Sequence, residues 1–244
     1  EERDIDASIL TPIETIAETS EREESGFATM MLSLLLPMML MLFAATGPVA
    51  SATDLGAGEK ERGTLEPLLT TQANRLSLLW GKFLAITVMG VLTSIAFISG
   101  LVISMQISPG AFGHGMDDVG LGLQPSALII IALFTVLLTM VFGALCLAVS
   151  MFARSFKEAQ TYLTPFSMIG LIGFSSYIIE PKTMSAGLLH IPLINIVAVL
   201  KELTLGIYDL THILIVLGWI VVYIFAAISF ARYMFSKESV IFRT

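Results

Sequence analysis

Five stretches of the chain are apolar over about 20 residues or more, and polar or charged segments separate them. A helix of about 20 mostly apolar residues crosses the roughly 30 Å hydrocarbon core of a bilayer. The pattern therefore predicts an all-α integral membrane protein with five spans, which run roughly over Phe27–Ala50, Leu78–Met105, Ser126–Met151, Ala159–Ile179 and Ile213–Phe235.

Two of the connections between the predicted spans are long. Ser51–Ser77 is polar and dense in charge, whereas Glu180–Thr211 is only semi-polar. The second connection contains the apolar stretch Ile191–Leu200, which is too short to cross a bilayer. Prolines at positions 181 and 192 break any continuous helix here, so we expect this stretch to be re-entrant or interfacial.

The composition agrees with a membrane protein and excludes several other classes. Charged residues make up 14% of the 244 residues, against about 25% in soluble domains, and the mean hydropathy is +0.85. A pI near 4.9 argues against a nucleic-acid-binding protein, which needs a basic face. The single cysteine, Cys146, allows neither an intrachain disulfide nor a cysteine-based metal cluster.

The distribution of lysine and arginine predicts the orientation, because cytoplasmic segments carry an excess of these residues. Ser51–Ser77, Ala153–Glu158 and the C-terminus fall on one side, which we predict to be cytoplasmic. The acidic N-terminal segment, residues 1–26, and the loops Gln106–Pro125 and Glu180–Thr211 are predicted to face the outside of the cell. Nine basic residues lie on the first side or at its span ends (Lys60, Arg62, Arg75, Lys82, Arg154, Lys157, Arg232, Lys237, Arg243) and four on the other (Arg3, Arg22, Lys182, Lys201).

The spans contain no recognisable catalytic machinery. No ionisable side chain falls in the middle of a predicted span, and Lys82, near a cytoplasmic end, is expected to snorkel to the surface. The three histidines fall in outside loops, and we interpret them as solvated or interfacial. The chain has no P-loop for ATP, and we predict no cofactor and no metal site in it. The predicted spans therefore lack the residues that an intramembrane enzyme usually uses.

The connection after the first span carries the most informative pattern, AGEKERGTLEPLLTT over residues 57–71. Leu65, Leu68 and Leu69 form an apolar helical stripe next to a dense mixed-charge turn. Such a unit either lies on lipid or docks in a groove of a soluble partner. Since acidic residues match basic ones here, the pattern favours a protein partner over an anionic lipid surface.

This segment resembles the cytoplasmic coupling loop of ABC-2 type permeases, and most closely that of the sodium-efflux (NatB-type) permeases. Residues Ala57 to Leu69 match that pattern without a break, as do Thr71 and the later pair Gly81-Lys82; Gln72 stands where the family usually has proline. The resemblance implies an ABC-2 (type V exporter-like) helical bundle, with an outside re-entrant hairpin over about residues 181–208 before the last span. Residues 27–244 would then form its transmembrane domain, 51–77 its coupling element and 1–26 the end of an extracytoplasmic domain that follows a sixth, upstream span.

The resemblance also implies partners. A separate cytoplasmic ABC ATPase would bind ATP and magnesium and dock on the coupling element, and a second permease copy would complete a homodimer in the plasma membrane, with a cytoplasmic C-terminus. The residues implied in coupling are Asp54, Glu59, Lys60, Glu61, Arg62, Leu65, Leu68 and Leu69. The alternative for the charged turn is a solvated helix face held by weak local ion pairs.

The transported substrate stays open at this point. Sodium is the first expectation from the resemblance, with a drug, a peptide or a lipid as alternatives, and a non-transporting signalling or scaffold subunit as another function altogether. Small hydroxyl side chains are candidates for the path between two copies, although they also serve helix packing; they are Ser33, Thr46, Thr161, Ser167, Ser175 and Ser176.

Overall fold

The protein folds as a bundle of long helices in a computed structural model that describes residues 12–64, 67, 74–107, 125–181 and 185–236. No β-strand occurs in these residues, which confirms the predicted all-α class. The α-helices are α1 (Pro12–Thr53), α2 (Arg75–Ile107), α3 (Pro125–Phe152), α4 (Phe156–Ile169), α5 (Ile194–Thr204) and α6 (Leu210–Ser236). The side chains of residues 12–29 are not described.

Four helices within the described ranges are long and apolar enough to cross a membrane. They cover Met30–Glu61, Leu76–Gly100, Ser126–Phe152 and Leu210–Met234, and each overlaps one of the spans predicted from hydropathy. The fifth predicted span, Ala159–Ile179, is not a single α-helix. It consists of most of α4, with Pro165 inside it, followed by a 3₁₀ segment over Gly170–Tyr177.

The core of the bundle lies along α1 and α3. α1 packs against α2, α3, α4 and α5, and α6 packs mainly on α3. The largest fully buried side chains include Leu40 and Met41 from α1 and Phe134, Phe142 and Leu147 from α3. α2 and α6 expose many large apolar side chains on their outer faces, which is the surface expected against lipid or a second subunit.

The 3₁₀ segment lies directly against α1 through glycine. A Cβ atom built on Gly173 would lie 2.7 Å from the carbonyl oxygen of Met38 and 2.8 Å from its Cα. The hydroxyl of Ser176 donates to the carbonyl of Leu34 at 3.0 Å. Small residues therefore let two backbones touch, as is usual between membrane helices.

The segment before α6 folds back on itself beside that helix. A 3₁₀ segment over Ala186–His190 leads to α5, whose first turn lies deep beside α6, since the Asn195 amide is 3.3 Å from the Tyr223 hydroxyl. Its last turn lies at the start of α6, where Glu202 contacts His212. Tyr223 is about 16 Å further along α6 than His212, given 1.5 Å per residue. A re-entrant hairpin takes such a path, and its depth in a bilayer stays a prediction.

Leu193 makes the tip of this return. It has a φ of 69° and follows Pro192, and α5 starts directly after it. The amino group of Lys201 on α5 donates to the carbonyls of Ser176 at 2.5 Å and Ile179 at 2.8 Å. A cation thus satisfies carbonyls that the end of the 3₁₀ segment leaves without helical donors.

Candidate coupling site at the end of the first helix

The charged connection that the sequence placed after Ala50 begins as a continuation of the first helix. α1 continues to Thr53, a π-helical segment follows over Asp54–Gly58, and an α-helical turn covers Glu59–Glu61. Residues 54–64 are called the junction below. The helix thus continues beyond the predicted span end at Ala50, because polarity increases before the helical hydrogen bonding stops.

A glycine cap ends the junction. Gly63 has a φ of 66°, its N–H donates to the carbonyl of Lys60, and the N–H of Thr64 donates to the carbonyl of Glu59, both at 3.0 Å. These two bonds form a Schellman motif, in which glycine adopts the left-handed conformation at little steric cost.

The π-helical segment packs against the end of α3 at a single serine. A Cβ atom on Gly56 would lie 2.2 Å from the Ser150 hydroxyl oxygen. That same oxygen accepts a hydrogen bond from the N–H of Ala57 at 3.1 Å. Gly56, Ala57 and Gly58 are all buried. Gly56 therefore allows the close approach of the junction to α3.

Glu59 and Lys82 form a buried ion pair between the junction and α2. The Lys82 amino nitrogen lies 2.5 Å from Glu59 Oε2 and 2.6 Å from the carbonyl oxygen of Leu55. Only 7% of the lysine side chain and 18% of the glutamate side chain are exposed. The expectation that Lys82 snorkels to the surface was wrong, because the junction supplies two acceptors for it inside the protein.

The other charged side chains of the junction also bind within the chain. Lys60 donates to the carbonyl of Met151, and the carboxylate of Glu61 accepts from the N–H of Phe156 at 2.6 Å, in the first turn of α4. Arg62 pairs with Asp54 at 2.8 Å, with about half of each side chain exposed. The turn is thus neither a simple solvated helix face nor a free set of charges, since it is tied to α2, α3 and α4.

The surface left by these contacts is a short ridge. Glu61, Arg62, Gly63 and Thr64 are exposed, as is Pro67. Leu65, Leu68 and Leu69, the predicted apolar anchor, lie outside the described residues. The docking roles of all eight predicted coupling residues stay predictions.

The comparison with known proteins agrees with this architecture. The profile of a family described as "ABC-2 family transporter protein" matches residues 2–231, nearly the whole chain. The chain belongs to the ABC-2 family. The ABC-2 assignment and the apolar helices together make it a multi-pass membrane protein of the transporter-permease class.

One curated relative of this ABC-2 protein is the ABC transporter permease protein NatB of Bacillus subtilis (strain 168). The two are 33% identical over 241 residues, which are 96% of this chain and 60% of the relative. The chain therefore spans about 60% of the length of the relative that it matches. No solved structure matches the chain significantly.

Most of the predicted path hydroxyls of the ABC-2 protein are hydrogen-bonded within the helix bundle. Four of the six donate to carbonyls of their own helix, at distances of 2.8 to 3.5 Å: Ser33, Thr46, Thr161 and Ser167. Ser176 bonds across to α1. The hydroxyl oxygen of Ser175 is buried without a hydrogen-bond partner among the described residues. Helix packing explains five of these side chains, and a role in a path stays a prediction.

A second polar cluster of the ABC-2 protein was not predicted from the sequence. His212 Nδ1 lies 2.9 and 3.1 Å from the two carboxylate oxygens of Glu202, whose side chain is 3% exposed. Asp209 lies 3.7 Å from the other ring nitrogen of His212. In the described ranges no group of three such side chains is arranged to hold a metal ion. Burial raises the pKa of Glu202, and the hydrogen bond from His212 opposes the rise.

Replacing His212 and replacing Glu202 should have unequal effects on the free energy of unfolding. H212L should lower the free energy of unfolding by about 1–3 kcal/mol, because a buried carboxylate loses its hydrogen bond. E202Q should cost less, since a neutral amide oxygen still accepts from His212. Thermal unfolding of both variants in detergent at neutral pH measures the difference; equal losses would contradict it.

The same pair predicts a dependence on pH. Because the pKa of Glu202 is raised in the folded protein, the folded state keeps this proton to a higher pH than the unfolded state does. Stability from this group is therefore present below the unfolded pKa near 4.5 and is lost as pH rises through the folded pKa. The unfolding temperature of wild type relative to E202Q should fall over that range.

Proposed function

We propose that this chain is the membrane-embedded part of an ABC-2 exporter permease, driven by a separate cytoplasmic ATPase that docks on the junction ridge. The observation that supports the docking site most is the construction of the junction. A charged ridge, Glu61–Thr64, stands exposed, while Glu59, Lys60 and Glu61 at its start are bonded to three other helices. A partner that moves the ridge therefore moves a whole end of the bundle.

The chemistry of energy supply belongs to the partner in this proposal. ATP and magnesium bind to the ATPase, and this chain supplies the docking surface and the membrane path. Exposed charges suit a docking rim, because charged rims steer association and fix the register of two surfaces. The apolar residues Leu65, Leu68 and Leu69 would provide the buried centre of the contact, which usually carries most of the affinity.

The arrangement around the membrane follows from the same proposal. The junction end faces the cytoplasm of a cell with the protein in its plasma membrane, the C-terminus lies on that side, and a second copy completes the path. Sodium is the first substrate to test, because the relative with 33% identity is called NatB and the motif at residues 57–69 is closest to sodium-efflux permeases.

Co-purification tests the partner. Full-length permease isolated from its own cells should bring down a P-loop ATPase, identified by mass spectrometry. R62E should reduce that co-purification by about tenfold or more, because reversing a rim charge opposes steering and register. The matched control is R232E, which reverses an exposed arginine on another helix at the same end of the bundle. Equal retention in both variants would contradict docking at the ridge.

ATP hydrolysis in proteoliposomes tests the substrate. Turnover that rises with sodium supports sodium export, whereas turnover indifferent to sodium keeps the permease and discards that substrate. Absence of any ATPase partner would contradict the transporter and favour the signalling or scaffold subunit.

A further inference from the structure

The ion pair Glu59–Lys82 is the buried polar link between the junction and α2. Lys82 holds the junction twice, through the carboxylate of Glu59 and through the main-chain carbonyl of Leu55, four residues earlier. These two acceptors lie about one helical turn apart. Lys82 therefore binds the junction at two points, one in its π-helical segment and one directly after that segment. By contrast, the Asp54–Arg62 pair lies within the junction and is half exposed, so water and salt weaken it.

The rest of the inner face of α2 packs mainly through apolar side chains and small residues, and its outer face is exposed. Leu79 and Phe83, beside the lysine, pack into the core, while Leu84, Val88 and Leu92 are more than half exposed. Apolar contacts are non-directional, whereas the Glu59–Lys82 pair joins two defined atoms of the junction and α2. Setting register is the best-attested use of buried ionic groups.

We propose that Glu59 and Lys82 are the positioning residues that carry movement of the junction into α2. The inference rests on the proposed function, since a docked ATPase supplies the movement. When the ATPase displaces the ridge, Leu55 and Glu59 move with it, and Lys82 draws the near end of α2 along. Without the lysine, the junction moves while α2 stays behind.

The experiment uses the full-length permease with its ATPase in nanodiscs, in a background without other cysteines. Ser104, exposed near the far end of α2, is replaced by cysteine as the reporter. Its rate of modification by a maleimide is measured with and without trapping by ATP and vanadate. In otherwise wild-type protein the trapped state should change this rate by about fivefold, the lower end of usual coupling between two sites.

Two substitutions of the lysine separate positioning from general stability. K82M should abolish the change in labelling rate while the ATPase still co-purifies and hydrolyses ATP. K82R keeps a charged donor and should retain the change. Exchanging the charges as E59K/K82E is a poor test, because a carboxylate at position 82 would face the carbonyl of Leu55.

The matched control is T87V, on the same helix. The Thr87 hydroxyl is buried and donates to the carbonyl of Phe83 at 2.8 Å, so the variant loses a buried hydrogen bond within α2 without touching the junction. T87V should keep the nucleotide-dependent change. The inference is overturned if the change persists in K82M, if T87V abolishes it equally, or if wild-type protein shows none. Failure of any ATPase to co-purify would instead overturn the proposed function.

Discussion

Replacing Gly173 by alanine is expected to prevent the 3₁₀ segment from docking on α1 in its present position. The added methyl group would lie within 2.8 Å of two main-chain atoms of Met38, so no side chain can rotate away to make room. Overpacking a core costs about 1–3 kcal/mol and occasionally more, and a clash with backbone belongs at the upper end of that range. A large loss of monodisperse protein in detergent and a lower unfolding temperature are the measurements.

Gly218 provides the control for this prediction. It lies in the exposed face of α6, and a Cβ atom built on it meets no atom within 4 Å. G218A should leave stability unchanged or raise it slightly, because alanine favours the helix over glycine by up to about 1 kcal/mol in water. If G173A and G218A behave alike, the close approach of the 3₁₀ segment to α1 is wrong.

Replacing Gly56 by alanine should disrupt the junction and, with it, binding of the partner ATPase. The new Cβ would lie 2.2 Å from the Ser150 hydroxyl oxygen and 2.7 Å from its Cβ. The π-helical segment must then leave α3, and the hydrogen bond from the N–H of Ala57 to Ser150 is lost. Co-purification of the ATPase measures the effect directly, and we expect the loss to exceed that of R62E.

A second substitution in the partner serine tests the cause. G56A/S150G removes both conflicting side-chain atoms and leaves the closest approach at 3.2 Å, to the main-chain carbon of residue 150. The double variant should bind the ATPase better than G56A does. A loss of binding smaller than the sum of the losses in G56A and S150G gives a favourable coupling between the two sites. Additive losses would argue that Gly56 is needed for some reason other than Ser150.

Hydropathy predicted the all-α membrane class, and four of the five predicted spans overlap long apolar helices, since apolar runs of this length have few alternatives to crossing a bilayer. The π-helical segment was not predictable in the same way. Its small residues are visible in the sequence, but the serine that they pack against lies 93 positions further on. The buried position of Lys82 was not predicted for a similar reason, because only the fold brings the carboxylate of Glu59 and the carbonyl of Leu55 to its amino group.

The motif over residues 57–71 is recognisable from its sequence pattern, while the contacts that its individual charges make within the chain are not. Glu59 and Glu61 were predicted as partners for another protein, yet both carboxylates are used within this chain. The pair Glu202–His212 was missed because it depends on the return of α5. The available signal was Glu202, which follows the short apolar stretch Ile191–Leu200, together with His212 near the start of the next predicted span.

The 3₁₀ segment is longer than an α-helix with the same number of residues would be. A 3₁₀ helix rises about 2.0 Å per residue against 1.5 Å in an α-helix, so 22 residues of α4 and this segment extend about 37 Å. If its eight residues wound into α-helix, the end held by Lys201 would be drawn in by about 4 Å. The contact of Gly173 with Met38 and the bond from Ser176 to Leu34 would have to break or shift along α1 for this to happen, so these contacts hold the segment at its greater length.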